Sequence, residues 1–278
     1  MDVIGDEVAP AALKYTRLGG VIPCSLRKRG KKQRAEVARH LGASDRLLVL
    51  ATESGGVHVL DLGGEPMRSF LGAHSMPVNC VHMDDGGEYV ASCSDEGRVV
   101  VHELYGEDAQ AFEYGEAVSC VRLGPQYARQ RGVAVGTADG KVRLKSKNWF
   151  GQVKDELIHA DEGAIDDIAW ESSGVFLAWS SAIGVKIFDC IKTQIISHLQ
   201  RPVGWEAGTR CHLCWVDSAT LLVGWGRTVR KVAIRRRDSS LTSPRAVDST
   251  LSIFNVRYVS ALHLVALQAS LVNLWGAA

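Results

Sequence analysis

Short apolar runs alternating with polar positions recur between residues 47 and 234. Each is followed by a small-residue step, a turn containing Gly and a second alternating run. The first pair is Leu-Leu-Val-Leu-Ala-Thr, a Glu-Ser-Gly-Gly turn, then Val-His-Val-Leu-Asp, at residues 47–61. The same arrangement returns at 89–103, 132–144, 176–189 and 221–234. A side chain that changes face at every residue belongs to a strand, and a Gly-bearing turn between two such runs closes an antiparallel hairpin. The pattern therefore predicts five hairpins.

The turn glycines Gly56, Gly97, Gly140, Gly184 and Gly226 are 41, 43, 44 and 42 residues apart. An earlier β-prone run precedes four of the hairpins, at 78–83, 118–123, 165–170 and 211–215. A unit of about 40–45 residues with four strands is the signature of a WD-type β-propeller blade. One blade cannot bury both of its faces, but neighbouring blades bury each other. The alternation places Cys80, Cys120 and Ile168 at corresponding positions on one blade face. A shortened sixth copy is drawn over residues 262–275. The expected architecture is all-β: a WD40-like propeller of five clear blades and a partial sixth. With too little chain for seven blades, it is an incomplete seven-bladed ring or one that closes with fewer. The expected organisation is a disordered tail over 1–13 and the propeller over 14–278, with a basic loop insertion at about 27–42.

Composition narrows the function classes. The 278 residues carry 32 basic and 31 acidic side chains, a net charge of +1, which argues against a dedicated nucleic-acid binder. The first 20 residues hold Asp2, Asp6, Glu7, Lys14 and Arg17 without an apolar block, so no secretory signal is read there. Seven cysteines, an odd number mostly inside apolar runs, suit reduced thiols buried in a cytosolic protein. Residues 259–278 lack Asp, Glu, Lys and Arg, yet Ser260, His263, Gln268, Ser270 and Asn273 interrupt them. Two buried strands fit this stretch better than a membrane span.

Candidate chemistry is sparse. Cys211 and Cys214 have a CxxC spacing, but no second ligand pair lies nearby and the segment alternates like a strand; both are read as structural, and no metal or cofactor is expected. Asp95 and Asp139 share one turn position and are expected to bond turn N–H groups rather than act in catalysis. His74 is expected to brace a blade by hydrogen bonds, and Trp170, Trp179, Trp215 and Trp225 to be core. No GxSxG, P-loop, HExxH or GxGxxG sequence occurs, so no enzyme is expected and no catalytic residue is assigned. The densest charge run holds Arg27, Lys28, Arg29, Lys31, Lys32 and Arg34. Three readings stand for it: a solvated loop, a contact with an anionic membrane or a partner, and a nuclear import signal. Residues 33–41 after it read as a short helix ended by Gly42. A second cluster, Arg235, Arg236 and Arg237, reads as exposed charge.

Two stretches are more specific than generic repeat words. Leu-Ala-Trp-Ser-Ser-Ala-Ile-Gly-Val-Lys-Ile-Phe-Asp at 177–189, and Thr-Leu-Leu-Val-Gly-Trp-Gly-Arg-Thr-Val-Arg-Lys-Val at 220–232, carry a resemblance. With Leu-Cys-Trp at 213–215 and Lys-Tyr-Thr-Arg-Leu at 14–18, the sequence resembles the amino-terminal propeller of the vacuolar protein sorting-associated protein 41 family over about residues 14–234. That resemblance implies a subunit of the HOPS tethering complex acting between late endosomes and the vacuole or lysosome. Its partners would be other tethering subunits, a Rab7-class small GTPase and the late endosomal or vacuolar membrane surface, with no nucleic acid. Its place would be cytoplasmic and peripheral to that membrane. In the family an α-solenoid and a RING-like zinc domain follow the propeller, so this sequence is expected to be a truncated or fragmentary member. The basic insertion departs from the family pattern. Two other classes stand beside this one: a nuclear or RNA-associated WD-repeat scaffold, on the strength of the basic run, and a propeller hydrolase, on the strength of the fold.

Overall fold

Every hairpin predicted from the alternation forms, and each is extended on both sides into a four-stranded antiparallel meander. The computed structural model describes residues 37–147, 152–201, 210–225, 228–234 and 252–257. The first blade comprises β1 (Ala38–Ala43), β2 (Leu47–Thr52), β3 (Val57–Asp61) and β4 (Pro66–Phe70). The second has β5 (Val78–Met83), β6 (Tyr89–Ser94), β7 (Arg98–Glu103) and β8 (Ala109–Glu113). The third has β9 (Val118–Leu123), β10 (Val133–Thr137), β11 (Val142–Lys147) and β12 (Val153–His159), with a single helical turn, α1 (Tyr127–Gln130), between β9 and β10. The fourth has β13 (Asp167–Trp170), β14 (Phe176–Ser180), β15 (Gly184–Asp189) and β16 (Gln194–Gln200). The fifth has β17 (Cys211–Asp217), β18 (Thr220–Trp225), β19 (Thr228–Ala233) and β20 (Ser252–Arg257).

The first strands of consecutive blades pack on one another, β1 on β5, β5 on β9, β9 on β13 and β13 on β17. Alternation in the second strands then divides the cores. On β6, Val90 joins a core with Leu47, Val49, Val57 and Val59 of the first blade. Ala91 and Cys93 of the same strand turn to a core with Val121, Val135 and Tyr127 of the third. On β14, Leu177 and Trp179 face that second core, while Phe176 and Ala178 join Cys211, Leu213, Leu221, Val223 and Trp225. The second, third and fourth blades are thus apolar on both faces because both faces are joints. Trp179 and Trp225 are fully buried, as expected of core tryptophans, and Trp170 and Trp215 are half-buried.

The turn glycine seals the joint to the next blade. Gly55, Gly97 and Gly140 have φ of 87°, 81° and 94°. A Cβ on each would meet a backbone oxygen of the segment leading into the next first strand: His74 O at 2.2 Å, Tyr114 O at 2.3 Å and Gly163 O at 2.6 Å. Only Gly combines that backbone with that approach. In the first blade the residue is therefore Gly55, not Gly56.

Two further expectations are corrected. Residues 38–41, read as helix and basic loop, are extended and belong to β1, because the edge of β2 needs a partner and β1 supplies it from Ala38 to Ala43. Ile168 is not the counterpart of Cys80 and Cys120. Cys80 pairs with Cys93, Cys120 with Gly136 and Asp167 with Ser180, each at the same step before its turn, so Asp167 holds that position. The tail, the run from Arg27 to Arg34, Gly226, the cluster from Arg235 to Arg237 and the sixth copy lie outside the described residues.

Candidate functional site

Bulges in the first strands aim a set of polar residues inward. The ladder slips between Ala38 and His40, between Val78 and Cys80, and at Cys120 beyond Val118, leaving Arg39, Asn79 and Ser119 as extra residues. After the slip His40, Cys80, Cys120 and Asp167 occupy equivalent places, and His212, opposite Gly224, is their fifth-blade counterpart. All five line one cavity of about 220 Å³, together with Arg39, Arg122 and Arg210. A second cavity of about 400 Å³ lies at the other ends of the first strands, walled by Met83, Pro125, Trp170 and Trp215. His40, Leu41 and Arg122 line both, so Arg122 stands where the two meet.

Arg122 ties three blades together. Its Nη2 donates to Asp167 Oδ1 at 2.7 Å, and its Nη1 lies 3.0 Å from Cys80 Sγ and 3.0 Å from its own strand's Val121 carbonyl. Both partners of the ion pair are buried, with side chains 10% and 5% exposed. Asp167 is saturated: Oδ1 also accepts from Ile168 N–H at 2.9 Å, and Oδ2 accepts from Leu213 N–H of the fifth blade at 2.9 Å. Burial works against the Arg122 charge, but Asp167 and Cys80 more than offset it and its pKa is raised. The Cys80 thiol is shifted the other way. A hydrogen bond from Cys93 favours its thiolate, burial opposes, and Arg122 adds to the lowering, so its pKa is well below the ordinary value. Burial, chiefly, pushes Cys93 up.

Further bonds between first strands follow the repeat. Val81 N–H donates to His40 Nδ1 at 3.4 Å, and Leu123 N–H to His82 Nδ1 at 3.1 Å. Asn79 Nδ2 donates to the Val118 carbonyl at 2.9 Å, and Ser119 Oγ to the Ile165 carbonyl at 2.6 Å. Trp215 Nε1 donates to the Ala169 carbonyl at 3.1 Å. His82 must remain neutral to accept from Leu123; burial, helped by Arg122, lowers its pKa to about 3.

His74 braces the second blade as expected: Nδ1 is 2.7 Å from Glu96 Oε1 and Nε2 is 2.8 Å from the Ser92 hydroxyl. Asp95 accepts from Asn79 Nδ2 at 2.6 Å, a side-chain partner rather than a turn N–H. Asp139 accepts from the Thr137 hydroxyl and pairs with Lys141 Nζ at 2.6 Å. Cys211 and Cys214 point to opposite faces of β17, as residues three apart on a strand do: Cys211 enters the core against the fourth blade, and Cys214 lines the larger cavity. Among the described residues no group of three or more His, Cys, Asp or Glu could hold a metal ion. Arg122, Asp167, His40 and His82 were not singled out from the sequence. A signal for two of them is present, since Arg122 and Asp167 are charges inside the mainly apolar first-strand runs 118–123 and 165–170 of consecutive repeats.

A family model described as "Vps42 beta-propeller", the β-propeller of Vps41, matches residues 13–274. The chain is similar to the vacuolar protein sorting-associated protein 41 homolog of Arabidopsis thaliana, 33% identical over 90% of this chain and 26% of that protein. Its similarity to the Homo sapiens homolog is 30% over 82% of this chain and again 26% of the relative. The chain thus spans about a quarter of the length of these curated relatives. Two solved structures share the fold at 16% identity. The Cps50 (Swd1) β-propeller domain of Myceliophteria thermophila has a TM-score of 0.61 over 78% of this chain and 73% of that one. KlHsv2 with its loop 6CD replaced by a Gly-Ser linker has 0.58 over 80% and 71%. The match across all five blades settles the assignment: the chain belongs to the Vps41 β-propeller family.

Proposed function

We propose that this propeller is a non-catalytic interaction module in vacuolar protein sorting, working within a HOPS-type tethering complex in vesicle transport and membrane fusion. In this reading its partners are the other tethering subunits and a Rab7-class small GTPase, and its place is the cytoplasmic face of late endosomes and the vacuole or lysosome. The observation that carries it is the family match over residues 13–274, together with the sorting role in the relatives' names. The geometry supports a binding rather than a chemical task. The buried charges of the smaller cavity, Arg122 and Asp167, are taken up by bonds that join the blades, whereas the turns between third and fourth strands carry exposed apolar side chains: Leu62, Tyr105 and Ile191 are 41%, 71% and 75% exposed. The basic run Arg27, Lys28, Arg29, Lys31, Lys32 and Arg34 is proposed to contact an anionic membrane or an acidic partner.

The test is capture of purified tethering subunits and of GTP- and GDP-loaded Rab7-class GTPase on the immobilised chain. Retention of a subunit, or GTP-selective retention of the GTPase, supports the reading. No retention of any of them, with the chain folded by circular dichroism, overturns it.

A further inference from the structure

Cys80 differs from every other described cysteine. Among the six described cysteines it alone has a guanidinium nitrogen 3.0 Å from its sulfur, and its neighbour across the ladder is a second cysteine, Cys93. It also lines the 220 Å³ cavity, whose rim carries the exposed Arg39 and Arg210. That volume admits a small solute, although the residue itself is only 3% exposed. A cation beside a thiol stabilises the thiolate, which is the nucleophilic form. We propose that Cys80 is an oxidant-sensitive modification site: a hydroperoxide entering the cavity oxidises its sulfur to a sulfenic acid, and Cys93 resolves this to a Cys80–Cys93 disulfide.

The steps balance. The Cys80 thiolate attacks one peroxide oxygen, an S–O bond forms, the O–O bond breaks, and the leaving hydroxide takes a proton to become water, or an alcohol from an organic hydroperoxide. The Cys93 sulfur then attacks the sulfenic sulfur. An S–S bond forms, and the hydroxyl leaves as water with the proton of Cys93. Two thiols are oxidised by two electrons and one hydroperoxide is reduced.

The groups around Cys80 support the first step. Arg122 and the Cys93 donor favour the thiolate, as does His40 from β1; burial opposes them. His82, on the same strand, is held neutral, and Cys120 is pushed up by burial and by Cys80, so it does not compete for the charge. Asp167 faces Arg122 and His212 lines the far wall. The consequence is structural as well as chemical. A disulfide removes the Cys80 thiolate from Arg122, and with it the contact that joins the second blade to the ion pair of the third and fourth.

Exposure alone makes the opposite prediction. Cys190 and Cys214 are half-buried, and burial raises both of their pKa values. The experiment treats a Cys24→Ser chain at pH 7 with hydrogen peroxide, and follows each cysteine by dimedone trapping and peptide mass spectrometry. Native protein is compared with the same chain unfolded in urea. The expected result is a Cys80–Cys93 linked peptide, and a dimedone adduct at Cys80 in the Cys93→Ser variant. Cys80 should react about tenfold faster in the native than in the unfolded chain, since folding, not exposure, activates it. Arg122→Met should abolish the native advantage and Arg122→Lys should retain part of it. Where Arg122→Met does not fold, the native-to-unfolded ratio of the parent chain decides alone. Protection of Cys80 in the native chain, or first oxidation at Cys190 or Cys214, overturns the proposal.

Discussion

The joint between the first and second blades and the joint between the third and fourth meet the same geometric demand with different chemistry. At the former, the axial bond is the long 3.4 Å contact from Val81 N–H to His40. The work is done by an apolar core of Val49, Val59, Val78, Val81 and Val90, and by rim contacts such as the Phe70 ring stacked 4.1 Å from His102. At the latter, the buried Arg122–Asp167 pair and the Ser119 hydroxyl on the Ile165 carbonyl sit at the axis, over a core that includes Trp179. An apolar joint loses stability in proportion to the area removed. A charged joint fails abruptly, because the surviving partner is left buried and unpaired.

The largest effect that separates the two is expected at their equivalent axial positions. Asp167→Ala takes the carboxylate from the buried Arg122 guanidinium and orphans the Leu213 N–H, and should cost about 3–5 kcal/mol in urea unfolding. His40→Ala removes one long hydrogen bond and should cost about 1 kcal/mol. Equal losses would erase the distinction. Next comes the turn clasp: Gly97→Ala forces a Cβ against Tyr114 O in a left-handed backbone, for a loss of about 1–3 kcal/mol read as a fall in Tm.

Smaller, and visible only through pH, is the brace behind the second blade. Burial pushes the Glu96 carboxyl up, but Ser75, His74 and Ser94 all donate to it and hold it at about 2, against an ordinary 4.5. A depressed carboxylate contributes fully above its unfolded value and loses that contribution as pH falls through its folded value. Stability should therefore decline between pH 4.5 and 2, and Glu96→Gln should flatten that part of the profile in urea titrations at stepped pH. The smallest effect belongs to the outer face of the third blade. Arg143→Ala removes a partly solvated pair with Asp155 at 3.0 Å and should change stability by about 0–1 kcal/mol.

How much of this was legible in the sequence follows from where the apolar side chains lie. The middle hairpins of all five blades were readable because both of their faces are buried, so the apolar run and the Gly turn coincide. The fourth strands were not readable. Along β4, β8 and β12 most positions are exposed, and sequences such as Ala-Gln-Ala-Phe-Glu or Val-Lys-Asp-Glu-Leu-Ile-His look like loops. β1 was hidden in the same way by Arg39 and His40, which suit a basic loop until His40 is seen at the axis. Sorting by apolarity selects Ile168 over Asp167, whereas the position is held by charge pairing with Arg122. The structural role of His74 is legible from its place a few residues before the second blade's first strand, where Ser92 and Glu96 of that blade meet it.

The polarity that conceals the fourth strands also guards them. β4, β8, β12 and β16 leave a row of backbone donors and acceptors on the open edge of each sheet, which is a template on which a second molecule could add a strand. Charged side chains stand on β4, β8 and β12, and the ladder carries irregularities at Val59–Leu60, Val142–Arg143 and Ile187–Phe188, so the edges of the first, third and fourth sheets do not run true. Replacement of Lys154 and Glu156 on β12 by valine should turn that edge into a seed for fibrous aggregation, read by thioflavin fluorescence, while keeping the Asp155 pairs to the neighbouring β11.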